Sequence, residues 1–408
     1  MNITIISSVL PYPLNSGGAQ AQFNMIDGLR HIHNITYLFI ETRINQAQAL
    51  KELAGKWQNV NIVIYPYLRQ LMHGSFLKDK ILRAFKKVFC KNSESFKIET
   101  ALKPYGIYFT SDLVSFVNAV IEGGNADIVQ VEFYPCLHII DYLPNDIKKI
   151  FIHHEIRFVR NDRLLSTNKL CDKDKSLSEK IKAQELCDLN KYDRVVTLTD
   201  NDKDVLCENG VVTELMVSPA AVNTPNGNYS GWNGRILFLG GYSHKPNVEG
   251  MDWFFHDVLP NIDEKHLASV EFHLVGNGWP ESLIEVYRNS IHFPFVYHGF
   301  VKDLQTVVPG CIMIVPILTG SGMRMKILDA AALGVPFITT SVGVEGLLFK
   351  DGHDCIVRNE ASEWAISLVK MIEDEDLRKF ITAGARSVFK QNYSESVLLR
   401  KRNLVYRF

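Results

Sequence analysis

Nowhere in this chain does an uninterrupted apolar run approach 18 residues, so no segment reads as a membrane-spanning helix. The opening MNITIISSVLPYPL has no Lys or Arg ahead of its apolar stretch, so a conventional secretory leader is not expected. The seven cysteines (Cys90, Cys136, Cys171, Cys187, Cys207, Cys311 and Cys355) are scattered, odd in number and without C-x-x-C spacing. That argues against a zinc ribbon or a disulfide framework, and a reduced cytosolic compartment is the economical reading. Neither sign of charge dominates: 44 Lys and Arg face 45 Asp and Glu, a formal net charge of -1, so no general affinity for nucleic acid is expected. Low-complexity segments, short-period repeats and the dinucleotide pattern G-x-G-x-x-G are all missing.

What the sequence does contain is alternation. Apolar strand-like runs (NITIISSVL, ITYLFIET, NIVIYPY, DIVQVEFY, KIFIHH and RVVTLT, then RILFLGG, EFHLVGNG, CIMIVPI and PFITTS) are separated by helix-like segments in both halves. This predicts an α/β protein with parallel sheets covered on both faces. With 408 residues the chain suits two domains of roughly 200. The Pro-, Gly-, Asn- and Ser-rich stretch 218–235 reads as the linker, which gives an N-terminal domain over 1–217 and a C-terminal domain over 236–385. A final segment, 386–408, reads as a helix returning to the first domain. Each half opens with a strand followed by a double glycine, Gly17 and Gly18 in the first and Gly240 and Gly241 in the second. In doubly wound sheets ligands sit outside the carboxyl ends of strands, so this echo suggests two substrates.

The stretch GSGMRMKILDAAALGVP (320–336) places its charges oddly. Met325, Leu328, Ala331 and Ala332 recur at helical spacing, giving one apolar face over about three turns, and Gly334 with Pro336 supplies the stop. Arg324 and Lys326 then fall in the first turn, where the helix end is already positive and cations are disfavoured. An anion would remove the conflict, and Gly320 and Gly322 let backbone approach one closely. Asp329, three residues after Lys326, could accept hydrogen bonds from sugar hydroxyls, or simply form a solvated pair with that lysine.

Further strand ends in this half carry glycine: Gly276 in EFHLVGNG and Gly299, before Phe300, in VYHGF. Asn247 is placed to cap the helix after GGYSHKP, whose start Pro246 punctuates. In the N-terminal half, KIFIHHEIRFVRNDR puts His153 and His154 at a strand end ahead of Glu155, Arg157 and Arg160. Adjacent residues of a strand point to opposite sides, so at most one histidine serves a site there. Glu132 ends another strand. As a helix, LKDKILRAFKKVFCK (77–91) would be amphipathic and basic, which suits either an anionic membrane surface or a solvated lysine face.

The run ILFLGGYSHKPN, FHLVGNG, HGFVKDL and VPILTGSGMRMKILDAAALGVPFITTSVGVEGL resembles the donor-binding half of retaining glycosyltransferases of family 4, and PYPLNSGGAQAQFNMIDGL is similar to their acceptor-side glycine loop. The resemblance implies the GT-B fold, two Rossmann-like domains facing across a cleft. It implies transfer of a sugar from a nucleotide diphosphate sugar, with retention, without an obligatory metal and without a permanently bound cofactor. By the same resemblance Gly240, Gly241, Lys245, Gly276, Gly299, Phe300, Ser321, Gly322, Met323 and Asp329 would hold the donor, and Arg324 and Lys326 would face its pyrophosphate. His154 would contact the transferred sugar, while Gly17, Gly18, Glu132 and Arg157 would serve a glycan or lipid-linked acceptor. Where the family carries two glutamates separated by seven residues this chain has Ser321 and Asp329; Gly241 stands where the family has Arg, and Lys245 is displaced by one position. A role in cell-surface polysaccharide synthesis at the inner face of the membrane would follow. The alternatives are a nucleotide-sugar-binding protein without catalysis, or an epimerase or phosphorylase of the same fold.

Overall fold

The computed structural model describes residues 1–14, 16–43, 45–68, 107–166, 172–220, 227–320 and 322–408. The basic segment 77–91 and Ser321 therefore lie outside the described residues. The chain divides into two compact units, Met1–Pro13 with Ile26–Ser218 and Arg402–Phe408, and Leu14–Met25 with Pro219–Lys401.

The first unit is built on β1 (Asn2–Ser7), β2 (Asn34–Ile40), β3 (Val60–Tyr65), β4 (Ile128–Glu132), β5 (Lys148–His153), β6 (Arg194–Thr197) and β7 (Glu214–Val217). They form one parallel sheet in the order β3-β2-β1-β4-β5-β6-β7. Its central strands are covered on both faces, which is why they read as continuous apolar runs rather than alternating ones. Val129, Val131, Phe151 and Val195 anchor the core.

The second unit repeats the plan with β8 (Arg235–Leu239), β9 (Glu271–Val275), β10 (Phe295–Gly299), β11 (Ile312–Val315), β12 (Phe337–Thr339) and β13 (Ile356–Val357). All are parallel, in the order β10-β9-β8-β11-β12-β13. Phe238, Phe254, Phe272 and Trp364 fill its core. The strand order reverses beside β1 in the first unit and beside β8 in the second, so each has a switch point where crossover loops diverge and leave a crevice.

Strands β7 and β13 escape the sequence reading. They are four and two residues long, and in β7 no residue is fully buried, so neither makes an apolar run. The terminal helix runs from Glu395 to Val405.

Candidate functional site

In the second unit the loops after β8 and β11 and the helix Met325–Leu333 meet at the switch point. The expected amphipathic helix is shorter than three turns and buried all round: every residue except Lys326 is buried. Small side chains make this feasible, because Ala330, Ala331 and Ala332 let neighbouring backbone approach closely; Gly227 N–H donates to Ala332 O at 2.8 Å. Gly334 ends the helix in the left-handed conformation (φ 71°). Arg324 sits at the cap position rather than inside the first turn.

Arg324 is 7% exposed and donates from Nη1 to Gly322 O. Lys326 Nζ donates to Asn247 Oδ1 at 2.7 Å and lies 4.4 Å from the centroid of the Phe238 ring on β8. Burial, with the like charge of Arg324 as a second cause, pulls the Lys326 ammonium down to about 7. The Lys326 ammonium is thus held in a poorly solvated place beside a second cation.

Asn247 is not the helix cap that its sequence position suggests. The helix Lys245–Trp253 is preceded by His244, which gives no side-chain cap, and Asn247 lies inside the first turn. Its Nδ2 donates to Gly241 O at 2.8 Å, leaving Oδ1 for Lys326. Gly240 is a glycine for a local reason: a Cβ there would come within 2.6 Å of the Asn247 amide. Gly276 (φ 142°) is tighter still, with an added Cβ 2.2 Å from Gly240 O. Gly299 and Gly322 also have positive φ. Lys245 turns away to Glu249 at 2.8 Å with its side chain 71% exposed, and Phe300 is exposed. Asp329 is 2% exposed, with Oδ1 3.4 Å from Gln20 Nε2. Met323 is half-buried beside Gly322. Gly17 and Gly18 start the helix Gly17–Leu29, and a Cβ on Gly17 would touch Met325 at 3.5 Å.

In the first unit the two histidines do take opposite sides. His153 is 1% exposed and meets Glu185 Oε1 at 3.0 Å. Glu185 also accepts from the backbone N–H groups of Arg157 and Phe158, at 2.9 and 3.0 Å, so it anchors the start of the helix Arg157–Ser166. His153 is therefore structural. His154 Nε2 meets Glu132 Oε2 at 2.9 Å, and its ring stacks on Phe133 with centroids 4.0 Å apart. Phe133 holds a positive φ of 66°, uncommon for an aromatic residue, and this kink at the end of β4 aims the ring. Burial opposes ionisation of Glu132, but bonds from His154 and Gln130 and the charges of His154 and Arg402 outweigh it, holding the carboxyl below its usual value. Arg157 lies over the Tyr134 ring at 5.2 Å, and burial lowers its pKa.

Sequence reasoning missed Gln130, Phe133, Glu185 and the bridging role of Asn247. A signal for the first was present, since Gln130 and Glu132 share one face of a strand that is otherwise apolar. Among the described residues one group has metal-ligand types close together, His138, Asp141 and Asp188. Lys191 Nζ sits on both carboxylates at 2.6 and 2.7 Å, so an ammonium already neutralises them.

Residues 233–374 match the family described as Glycosyl transferases group 1. An uncharacterised 44.6 kDa protein in the cps region of Klebsiella pneumoniae is 27% identical over 169 residues, 40% of this chain and 43% of that protein. The match thus spans less than half the length of that curated relative. Among solved structures, a variant of S. aureus TarM in complex with fondaparinux, alpha-GlcNAc-glycerol and UDP aligns over 100% of both chains at 10% identity and a TM-score of 0.69. HepE of Anabaena in complex with UDP and glucose aligns over 100% of both chains at 12% identity and a TM-score of 0.66. No helix among the described residues is long and apolar enough to cross a membrane. The chain has the GT-B fold, and its second unit carries the region that matches glycosyl transferases group 1.

Proposed function

We propose that this chain is a retaining glycosyltransferase that moves a sugar from a nucleotide diphosphate sugar to a glycan or lipid-linked acceptor. The observation that carries the reading is the pair of buried Arg324 and half-buried Lys326 at the carboxyl edge of β8 and β11, the ammonium held by Asn247 and lowered to about 7. Such a pair gains most from a ligand that brings two negative charges close together, as a diphosphate does. The family match over 233–374 supports sugar transfer, and UDP is bound in the TarM and HepE structures that this chain resembles.

In this reading Arg324 and Lys326 stabilise charge that grows on the diphosphate as the glycosidic bond breaks, a preorganised electrostatic contribution that needs no metal. Gly240, Gly241 and Gly276 let backbone close on the phosphates, with Gly299 and Phe300 beside the nucleoside. Asp329 receives the ribose hydroxyls by exchanging its contact with Gln20. His154 contacts the transferred sugar, and Glu132, Arg157, Gly17 and Gly18 serve the acceptor side. The cps-region location of the Klebsiella relative supports a place in surface polysaccharide synthesis.

The test is a thermal-shift screen of the purified chain against UDP, GDP, dTDP and CDP sugars, followed by turnover of the best ligand with EDTA present. A selective shift with turnover that EDTA leaves unchanged is expected. A shift without turnover, even with acceptor glycans added, would favour the non-catalytic binding protein; no shift with any nucleotide would remove the donor site.

A further inference from the structure

The last residues of the chain end in the polar interior of the first unit. Arg402 Nε donates to Ser218 Oγ at 2.9 Å, and Asn403 Oδ1 meets His33 Nε2 at the same distance. Tyr406 is 2% exposed and its ring packs edge-on against His33. Its hydroxyl donates to Gln130 Oε1 at 2.6 Å, and Gln130 Nε2 donates to Glu132 Oε1, also at 2.6 Å. Glu132 Oε2 meets His154 Nε2.

Each direction in this line is forced by the group before it. The ionised Glu132 can only accept, so the Gln130 amide turns its NH2 toward it and its oxygen toward Tyr406. The phenol proton is therefore free to go to Gln130 Oε1. An amide that accepts through oxygen must offer its NH2 on the other side, and that side faces Glu132. The carboxylate, ionised in its buried place, meets His154 Nε2 through Oε2 at 2.9 Å, and an anionic oxygen requires a donor. His154 must then carry a proton on Nε2, and in a ring that holds one proton only, Nδ1 is the lone-pair nitrogen. That Nδ1 is buried with no hydrogen-bond partner among the described residues, and the His154 side chain is 10% exposed. A buried acceptor without a donor is costly, and a substrate hydroxyl would satisfy it.

We propose that Tyr406 and Gln130 form a positioning relay through which the C-terminal segment fixes the tautomer of His154, so that Nδ1 accepts a hydrogen bond from a hydroxyl of the substrate sugar. This rests on the reading that His154 meets the transferred sugar. Without the tyrosine hydroxyl the Gln130 amide is held at one end only, by the Glu132 carboxylate. A loosened amide no longer fixes where that carboxylate sits, and the bond that holds the imidazole is disturbed. The stack on Phe133 fixes the plane of the ring but not which nitrogen bears the proton.

The experiment uses the full chain with 15N-labelled histidine and compares parent, Tyr406→Phe and Gln130→Met by ring 15N spectra at alkaline pH and by steady-state kinetics. The parent should show His154 with Nε2 protonated and Nδ1 bare. In both variants the two tautomers should mix, and kcat should fall at least about tenfold with KM for the donor little changed, because the defect lies in orientation of a bonding partner rather than in donor binding. Tyr406→Phe keeps the ring that packs on His33, and Gln130→Met offers a second route should that variant fold poorly. An unchanged His154 spectrum in folded variants, or unchanged kcat, overturns the relay. Absence of any sugar transfer by the parent would instead sink the transferase reading while leaving the spectra to decide the relay.

Discussion

Lys326 Nζ lies 2.7 Å from Asn247 Oδ1, and the other end of that amide donates to Gly241 O at 2.8 Å. One side chain thus ties the cation to the first loop after β8. It fixes where the ammonium sits without neutralising it, because an amide oxygen carries only a partial charge.

Replacing Lys326 with Met or Arg324 with Ala should leave folding intact and depress turnover by about 10² to 10³, the range for removing one preorganised donor at developing charge. Steady-state kinetics with the nucleotide sugar selected by thermal shift checks this. Unchanged turnover would remove both residues from the chemistry.

The lysine also predicts a pH dependence. Its folded pKa, about 7, lies below the ordinary 10.5, so between these values the unfolded chain binds more protons than the folded one. Stability of the unliganded protein should therefore rise with pH across that window, and the penalty should be present in full below it. Lys326→Met should flatten this part of the profile when urea midpoints are measured at several pH values. Nucleotide diphosphate binding above pH 7 should take up a proton, visible in calorimetry as a binding enthalpy that depends on the buffer's ionisation enthalpy; Lys326→Met should abolish that dependence.

Asn247→Asp places a carboxylate where the amide oxygen was. It should raise the Lys326 pKa, erase the same pH slope, and weaken nucleotide binding by roughly tenfold or more, since a charge-assisted contact is worth about 1.5 to 3 kcal/mol. Titration calorimetry with the nucleotide alone measures it.

The two histidines should separate cleanly. His153→Gln disturbs the Glu185 contact and should cost about 1 to 3 kcal/mol in stability, with activity per folded molecule retained. His154→Ala removes the donor to the buried Glu132 and should cost stability by a similar amount, but it should also lower turnover per folded molecule by about 10²-fold, the order expected when a positioning contact is lost. Denaturant unfolding and kinetics on the same samples distinguish the two effects.

Glycines at the strand ends are not equivalent. Gly276→Ala would drive a Cβ to 2.2 Å from Gly240 O and should destabilise by several kcal/mol. Gly299→Ala has a positive φ but nothing within 4 Å, and should cost only about 1 to 2 kcal/mol. Urea unfolding of the pair tests this difference.

Much of the architecture is legible in the sequence, because strands buried on both faces must be apolar throughout and the crossovers between them must end in turn residues. Ten strands announce themselves as such runs, VYHGF marks the end of another, and the loops carrying Gly240, Gly276 and Gly299 follow directly. Arg324 and Lys326 stand out because their position conflicts with the helix dipole. Strands β7 and β13 do not, since short edge strands have no pattern long enough to detect.

Partnerships are another matter. That Asn247 reaches Lys326 across 79 positions, that Glu185 claims His153 and leaves His154 to Glu132, and that Tyr406 closes a line of hydrogen bonds 276 positions from Gln130 are decided only when the chain folds. Periodicity reports which face of an element is buried, because burial acts on each residue separately. A hydrogen bond depends on the distance and direction between two particular groups, and those are set by tertiary packing.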